Sequence, residues 1–170
     1  IAFFKVVQNK LLWAISQNTA AELVYRRIDA SLPLMGMLSY DKKEAKSVTK
    51  QEVSIAKNYL DENEMKLLGL LVEQYLAFAE TMAQQQTPMY MKDWIARLDG
   101  ILQLNGRELL THAGKISHDR ALKKSATEFE KYKLTPQFSL LNADFTLPDF
   151  KFIFFWEWFH RFWARLIGVV

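Results

Sequence analysis

The chain has no cysteine and little glycine or proline. Its 170 residues include 6 glycines and 4 prolines, so turn signals are sparse and helices can run uninterrupted. The absence of cysteine excludes disulfides and thiolate metal sites, and it favours a reducing compartment. No secretory signal is recognisable at the start. Because the sequence starts at Ile1 rather than at methionine, we interpret it as a fragment or a processed product.

Neither sign of charge is in large excess. The net charge is +3. The surplus falls in residues 91–133, where nine Lys and Arg face six Asp and Glu. Such a mild surplus suits an acidic partner but lacks the dense basic face that is typical of nucleic-acid-binding proteins.

The apolar residues recur at helical spacing, and no alternating strand pattern or internal repeat appears. The pattern predicts an all-α fold, a single multi-helix domain of about six to seven helices followed by an aromatic C-terminal helix or tail. A central, mostly buried helix is expected over 65–82, and a long loop over 31–48 is expected to be a solvated connector. The other predicted helices cover 2–15, 19–30, 49–60, 94–104, 107–112 and 117–133.

Three predicted helix starts carry a capping box, in which two side chains satisfy the free backbone N–H groups of the first turn. The boxes begin at Thr19, Thr49 and Asp61, each followed three residues later by glutamate. Asn105-Gly106 predicts a helix end, and Ser117 predicts the start of the last regular helix, with Leu122, Ala126, Phe129 and Tyr132 facing inward.

Four long segments resemble the virulence protein RhuM family. They read VQNKLLWAI, TAAELVYRRIDAS, VSIAKNYLDENEMKLLGLLVEQYLAFAE and PMYMKDWIARLDGILQLNGRELLTHAGKISHDRA, and the resemblance covers about residues 3–133. It implies a bacterial, cytoplasmic protein of pathogenicity islands and mobile elements, DNA-associated through an N-terminal module that this sequence lacks. No catalytic motif comes with the resemblance.

The C-terminus departs from that family, so we divide the chain into a RhuM-like helical domain, 1–133, and an atypical tail, 134–170. Three of five tryptophans and six of twelve phenylalanines lie in residues 150–163. The tail is either a genuine divergent end or a frameshifted one. We expect a helix from about Phe150, with Glu157, Arg161 and Arg165 on one line. Its apolar excess favours burial against its own domain or an oligomer mate over contact with a membrane surface.

Three functional hypotheses follow. The first is a protein–protein interaction or oligomerisation module of a DNA-associated protein, with a protein partner or a second copy bound. The second is a nucleotide- or phosphate-handling enzyme with the candidate catalytic residues Lys92, Asp99, His112, Lys115 and His118. The third is direct nucleic-acid binding by Arg120, Lys123, Lys124 and Lys131. No cofactor or metal is expected, because His112 and His118 lack the i, i+4 spacing of a helical metal site.

Overall fold

The computed structural model describes residues 2–39, 48–141 and Phe155. The described residues form an all-α domain without strands, as predicted. Its helices are α1 (Ala2–Ser16), α2 (Ala20–Arg27), α3 (Glu62–Gln84), α4 (Met91–Leu104), α5 (His118–Lys133) and α6 (Pro136–Leu141).

The first helix is the shared element of two apolar clusters. Leu12 of α1 belongs to the larger cluster, which is built mainly by α2, α5 and the segment 28–60. Leu11 and Ala14 belong to the smaller cluster, where α1 meets α3 and α4 through Leu71, Leu98 and Leu102. Ile15 packs against both clusters. The domain is therefore organised around α1.

This arrangement corrects the prediction of a central, mostly buried helix over 65–82. Helix α3 buries only Leu71, while Leu70 and Leu76 are 56% and 60% exposed. The reason is that α3 and α4 pack on one side of α1 and leave their outer faces exposed. A broad apolar face therefore did not indicate that the helix is buried on all sides.

The loop between α2 and α3 contributes to the core instead of serving as a solvated connector. Met35, Met37 and Val48 are buried in the larger cluster. Leu34 and Met35 adopt positive φ angles of 50° and 58°, which turns the chain so that Met35 is fully buried. Residues 40–47 of this loop lie outside the described residues.

Local signals predicted helix starts better than they predicted helix types. The capping boxes at Thr19 and Asp61 are formed and begin α2 and α3. The box at Thr49 is formed too, but the predicted helix over 49–60 is wrong. The chain instead makes two 3-10 turns, Glu52–Ser54 and Ala56–Tyr59, where Tyr59 is buried and donates its hydroxyl hydrogen to the Val53 carbonyl at 2.8 Å.

The chain after α4 also differs from the prediction. Gly106 has φ +66° and ends α4 as expected, but no helix forms over 107–112. Ser117 caps α5 as predicted. The buried face of α5 is Ala121, Ser125, Phe129 and Tyr132, whereas Leu122 is 38% exposed. The predicted face was therefore one residue off in the first half of α5. Apart from Phe155, the helix predicted from Phe150 lies outside the described residues.

Candidate functional site

The segment 105–117 between α4 and α5 is attached to α2 by one buried carboxylate. Glu22 is 2% exposed. One of its oxygens, Oε1, accepts a hydrogen bond from the Lys115 backbone N–H at 2.7 Å. The other, Oε2, accepts from the Thr19 N–H at 2.9 Å and the Thr19 hydroxyl at 2.8 Å. A capping residue of α2 thus also fixes the chain that leads into α5.

These hydrogen bonds set the charge state of Glu22. Burial by itself raises the pKa of a carboxyl group. The N–H groups of Lys115 and Thr19, together with the Thr19 hydroxyl, oppose burial, and the net pKa of Glu22 is lowered from 4.5. Glu22 is therefore a carboxylate committed to structure rather than a proton donor.

Gly114 is required by the same junction. Its φ is +85°, and a Cβ built there would lie 2.9 Å from Thr19 Oγ1 and 3.0 Å from Thr19 Cγ2. Side chains rarely adopt this φ, and the space is already filled. Only glycine brings residue 115 within hydrogen-bonding distance of Glu22.

His112 lies just before this junction and makes two local contacts. Its ring meets Trp13 of α1 edge to face, with 4.6 Å between ring centroids. Its Nδ1 accepts a hydrogen bond from the Gly114 N–H at 3.1 Å. The structure therefore uses His112 to hold the turn.

Asp99 pairs with a lysine that the sequence analysis did not select. Lys10 Nζ lies 2.7 Å and 3.0 Å from the two carboxylate oxygens of Asp99, and the two side chains are 13% and 27% exposed. Lys10 and His112 line a cleft of about 330 Å³ beside α1. The pair joins α1 to α4. Because the two residues are 89 positions apart, no local sequence pattern predicts their contact.

The remaining candidate catalytic residues lie elsewhere. His118 is the first residue of α5 and lines a larger cavity of about 880 Å³. Lys92 and Lys115 have exposed side chains and line neither the cleft nor this cavity. The five residues are thus not gathered in either cavity, and their catalytic role stays a prediction. Within residues 2–39 and 48–141, no three His, Asp or Glu side chains are arranged to hold a metal ion.

The basic residues of α5 are mostly engaged within the domain. Arg120 and Lys124 lie over the Tyr25 ring at 5.2 Å and 4.6 Å from its centroid. Lys124 also donates to the Tyr25 carbonyl at 2.6 Å, and Lys131 pairs with Glu128 at 2.7 Å. Lys123 is exposed. These cations contribute to the attachment of α5 to α2 and to their own helix.

The described residues form an all-α domain that is built around α1, and the short helix α6 follows α5. The chain belongs to the virulence protein RhuM family, whose model matches residues 1–139. A second family model, described as a cytochrome oxidase assembly protein, matches residues 114–170. The two matches overlap through α5. No solved structure matches the chain.

The curated relatives named here each match less than half of the chain. A heme A synthase of Flavobacterium psychrophilum is 64% identical over 44 residues, which are 25% of this chain and 13% of that protein. One of Rhodospirillum centenum is 58% identical over 43 residues, 25% of this chain and 12% of that protein. Heme A synthase COX15 of Saccharomyces cerevisiae is 43% identical over 81 residues, 42% of this chain and 17% of that protein. The chain thus spans about an eighth of the length of the first two relatives.

These findings overturn the function inferred from the sequence. The expected role as a virulence- and mobile-element-associated, DNA-associated interaction module is wrong, because the named relatives are heme A synthases. The expected cytoplasmic location is overturned by the same matches and by the cytochrome oxidase assembly model. In the part of the chain that the structure describes, no helix combines the length and apolarity needed to cross a membrane.

The sequence analysis did not anticipate the second family model that matches the C-terminal segment, although a signal was present. Glu157, His160 and Arg161 interrupt the aromatic run of residues 150–163. Ionisable residues within so apolar a stretch are costly and usually mark a functional site. The expectation of a divergent or frameshifted end leaves out that a cytochrome oxidase assembly model matches residues 114–170.

Proposed function

We propose that this chain acts in heme A synthesis through its C-terminal segment, residues 114–170, carried on a RhuM-type helical body. The observation that carries the proposal is the 64% identity with a heme A synthase over 44 residues. The matched segment is 13% of that enzyme, so the proposal concerns one part of heme A synthesis.

Helices α5 and α6, which are the described helices of residues 114–170, pack against the rest of the domain. This packing supports a role of the domain in positioning the segment. Phe129 and Tyr132 of α5 are buried in the larger cluster. Phe138 of α6 packs against both rings, with centroids 6.5 Å and 5.7 Å away. The Glu128 carboxylate accepts a hydrogen bond from the Ala30 N–H at 3.1 Å. The start of the segment is thereby fixed to the α2 side of the body.

Histidine is among the side chains in this chain that suit heme iron. His112 uses Nδ1 for the Gly114 N–H and packs its ring on Trp13, and His118 belongs to the rim of a cavity built by the body. His118 and His160 both fall within the match to the cytochrome oxidase assembly model, but only His160 lies in the aromatic run of residues 150–163, outside the described residues. The relatives are named heme A synthases. We therefore assign His160 as the residue that would hold heme.

The aromatic run that contains His160 suits a lipid surface. Tryptophan and phenylalanine bury in the boundary between headgroups and acyl chains, while charged neighbours remain solvated. In this proposal the helical domain, 1–133, is followed by a lipid-contacting, heme-handling segment, 134–170, which lies within the matched residues 114–170.

A heme titration of the full chain tests the proposal. The chain in nonionic detergent micelles is mixed with hemin, and the Soret band is followed by absorbance. We expect a saturable Soret band shift of the kind that histidine ligation of heme iron produces, and we expect His160→Ala to abolish this ligation signature. His112→Ala and His118→Ala are matched controls that retain it. Equal titrations for the wild type and His160→Ala would contradict the assignment.

A further inference from the structure

A cavity of about 880 Å³ lies between α1, α2, α3, the second 3-10 region and the start of α5. We propose that it binds an amphipathic carboxylate, a molecule with a large apolar body and an anionic head. The proposal goes beyond the function proposed above and does not rest on it, because the cavity belongs to the body and not to the aromatic segment.

The floor of the cavity is apolar. Leu11, Leu12 and Val24 line it and are themselves buried. Leu68 and Val72 of α3 also line it. The volume falls within the several-hundred-Å³ range of small-molecule sites, which are mainly apolar with a few placed polar groups. A floor of this kind favours the hydrocarbon part of a ligand.

The ionisable groups at the rim are of one sign. Among the described residues that line the cavity, they are Lys5, Lys57 and His118, and none is acidic. Lys5 and Lys57 are exposed and come from different elements, α1 and the second 3-10 turn. Glu22 is close in sequence to the lining residues Ala20 and Ala21, but its oxygens are occupied by Lys115 and Thr19. An apolar floor under a cationic rim is complementary to an apolar anion.

Two kinds of carboxylate have this chemistry, a long-chain fatty acid and a tetrapyrrole dicarboxylate. The test uses palmitate and metal-free protoporphyrin IX, each below its aggregation concentration, in calorimetric titrations of the full chain. Binding of palmitate alone assigns a lipid source, and binding of the porphyrin alone assigns a tetrapyrrole source. Either result supports the proposal. Binding of neither probe overturns it.

The rim is tested by charge reversal. The double variant Lys5→Glu with Lys57→Glu is expected to weaken binding by about tenfold or more, since two attractive contacts become repulsive. Lys66→Glu is the matched control on α3. Lys66 is 69% exposed and does not line the cavity, so its reversal should leave the affinity unchanged. Equal affinities for the double variant and the wild type would overturn the assignment.

The apolar floor is tested by filling it. Ala21→Phe places a ring in the cavity from α2 and should abolish binding, with circular dichroism to show that the helices persist. Should this variant unfold, the rim variants still decide the question. His160→Ala is expected to bind both probes as the wild type does, so failure of this site and failure of the heme assignment can be told apart.

Discussion

The two apolar clusters of this domain are held together in different ways. The larger cluster collects buried residues from α1, α2, α5 and the segment 28–60, and polar contacts cross its edges. Glu22 binds the Lys115 N–H, and Arg27 binds the two Glu64 oxygens at 2.5 Å and 2.6 Å. The smaller cluster buries five residues, which come from α1, α3 and α4.

The difference shows where the fold is most strongly specified. Around the larger cluster, the same contacts between elements provide both apolar burial and buried hydrogen bonds. A substitution at one of these contacts is therefore expected to lower the stability of several elements. Around the smaller cluster, the main polar link is the Lys10–Asp99 pair, and large apolar side chains such as Leu76 and Leu104 remain exposed. The α3–α4 pair is therefore expected to open before the α2–α5 side does.

Truncating a core leucine in each cluster gives the largest expected effect. Leu23 is 0% exposed and Leu71 is 1% exposed, so the two start from equal burial. We expect Leu23→Ala to cost about 4 kcal/mol and Leu71→Ala about 2.5 kcal/mol, because half-exposed neighbours of Leu71 can close the cavity. Urea unfolding measures both. Equal losses would remove the proposed difference between the clusters.

Gly114→Ala is expected to follow. The methyl group would meet Thr19 at 2.9 Å in a left-handed backbone, and strain together with overpacking should cost about 3 kcal/mol. Gly106 is the matched control, since it also has positive φ, at +66°, but has nothing within 4 Å. Its alanine variant should lose about 1 kcal/mol. Thermal unfolding of the pair would show no gap if the Thr19 contact were unimportant.

Glu22→Gln tests the carboxylate that joins α2 to residue 115. Replacing an oxygen by an amide group leaves a buried N–H donor unpaired and should cost about 2 kcal/mol at neutral pH. Because the pKa of Glu22 is lowered from 4.5 in the folded chain, its contribution is complete above the unfolded pKa. It is lost as the pH falls below 4.5 through the folded pKa.

The pH dependence supplies the check on that variant. The stability difference between the wild type and Glu22→Gln should shrink in acid and be constant at neutral pH. Glu73→Gln changes an exposed carboxylate of α3 and serves as control. A difference that stays constant into acid would show that ionisation of Glu22 does not stabilise the fold.

Tyr132→Phe should have the smallest effect. Tyr132 is 0% exposed, and its hydroxyl finds no hydrogen-bond partner among the described residues. Removing a buried unpaired hydroxyl is expected to change stability by about 0.5 kcal/mol or less, or to stabilise the fold. Its partner variant Tyr59→Phe removes a hydroxyl that does donate, to Val53, and should cost about 1 kcal/mol. Equal losses in calorimetry would contradict this account of Tyr132.

Local chemistry could be predicted from the sequence, whereas burial could not. The boxes at Thr19 and Asp61 depend on residues three apart, and both are formed. The burial of α3 depends on which neighbours cover it, and its spacing resembles that of a central helix. The same limit applies to Thr49, whose box is formed although a 3-10 turn follows. A capping box fixes where a turn begins and not how far a helix continues.

The candidate sites show the same limit at long range. Glu22 and Lys115 are 93 residues apart, and Lys10 and Asp99 are 89 apart, so no local pattern joins them. Glu22 could be recognised as a capping residue but not as the anchor of Gly114 and its neighbours. The C-terminal segment shows a different limit, because its aromatic density departs from the RhuM pattern but does not by itself indicate the cytochrome oxidase assembly model that matches residues 114–170.

The most direct test of the account is a segment exchange that measures heme A itself. The matching 44-residue segment of the Flavobacterium psychrophilum heme A synthase is replaced by that of this chain, and heme A is quantified by chromatography in cells without another synthase. The account predicts heme A production near that of the parent enzyme, and a scrambled segment of equal composition should give none. Production no higher than with the scrambled segment would contradict the proposal that this chain carries a working part of heme A synthesis.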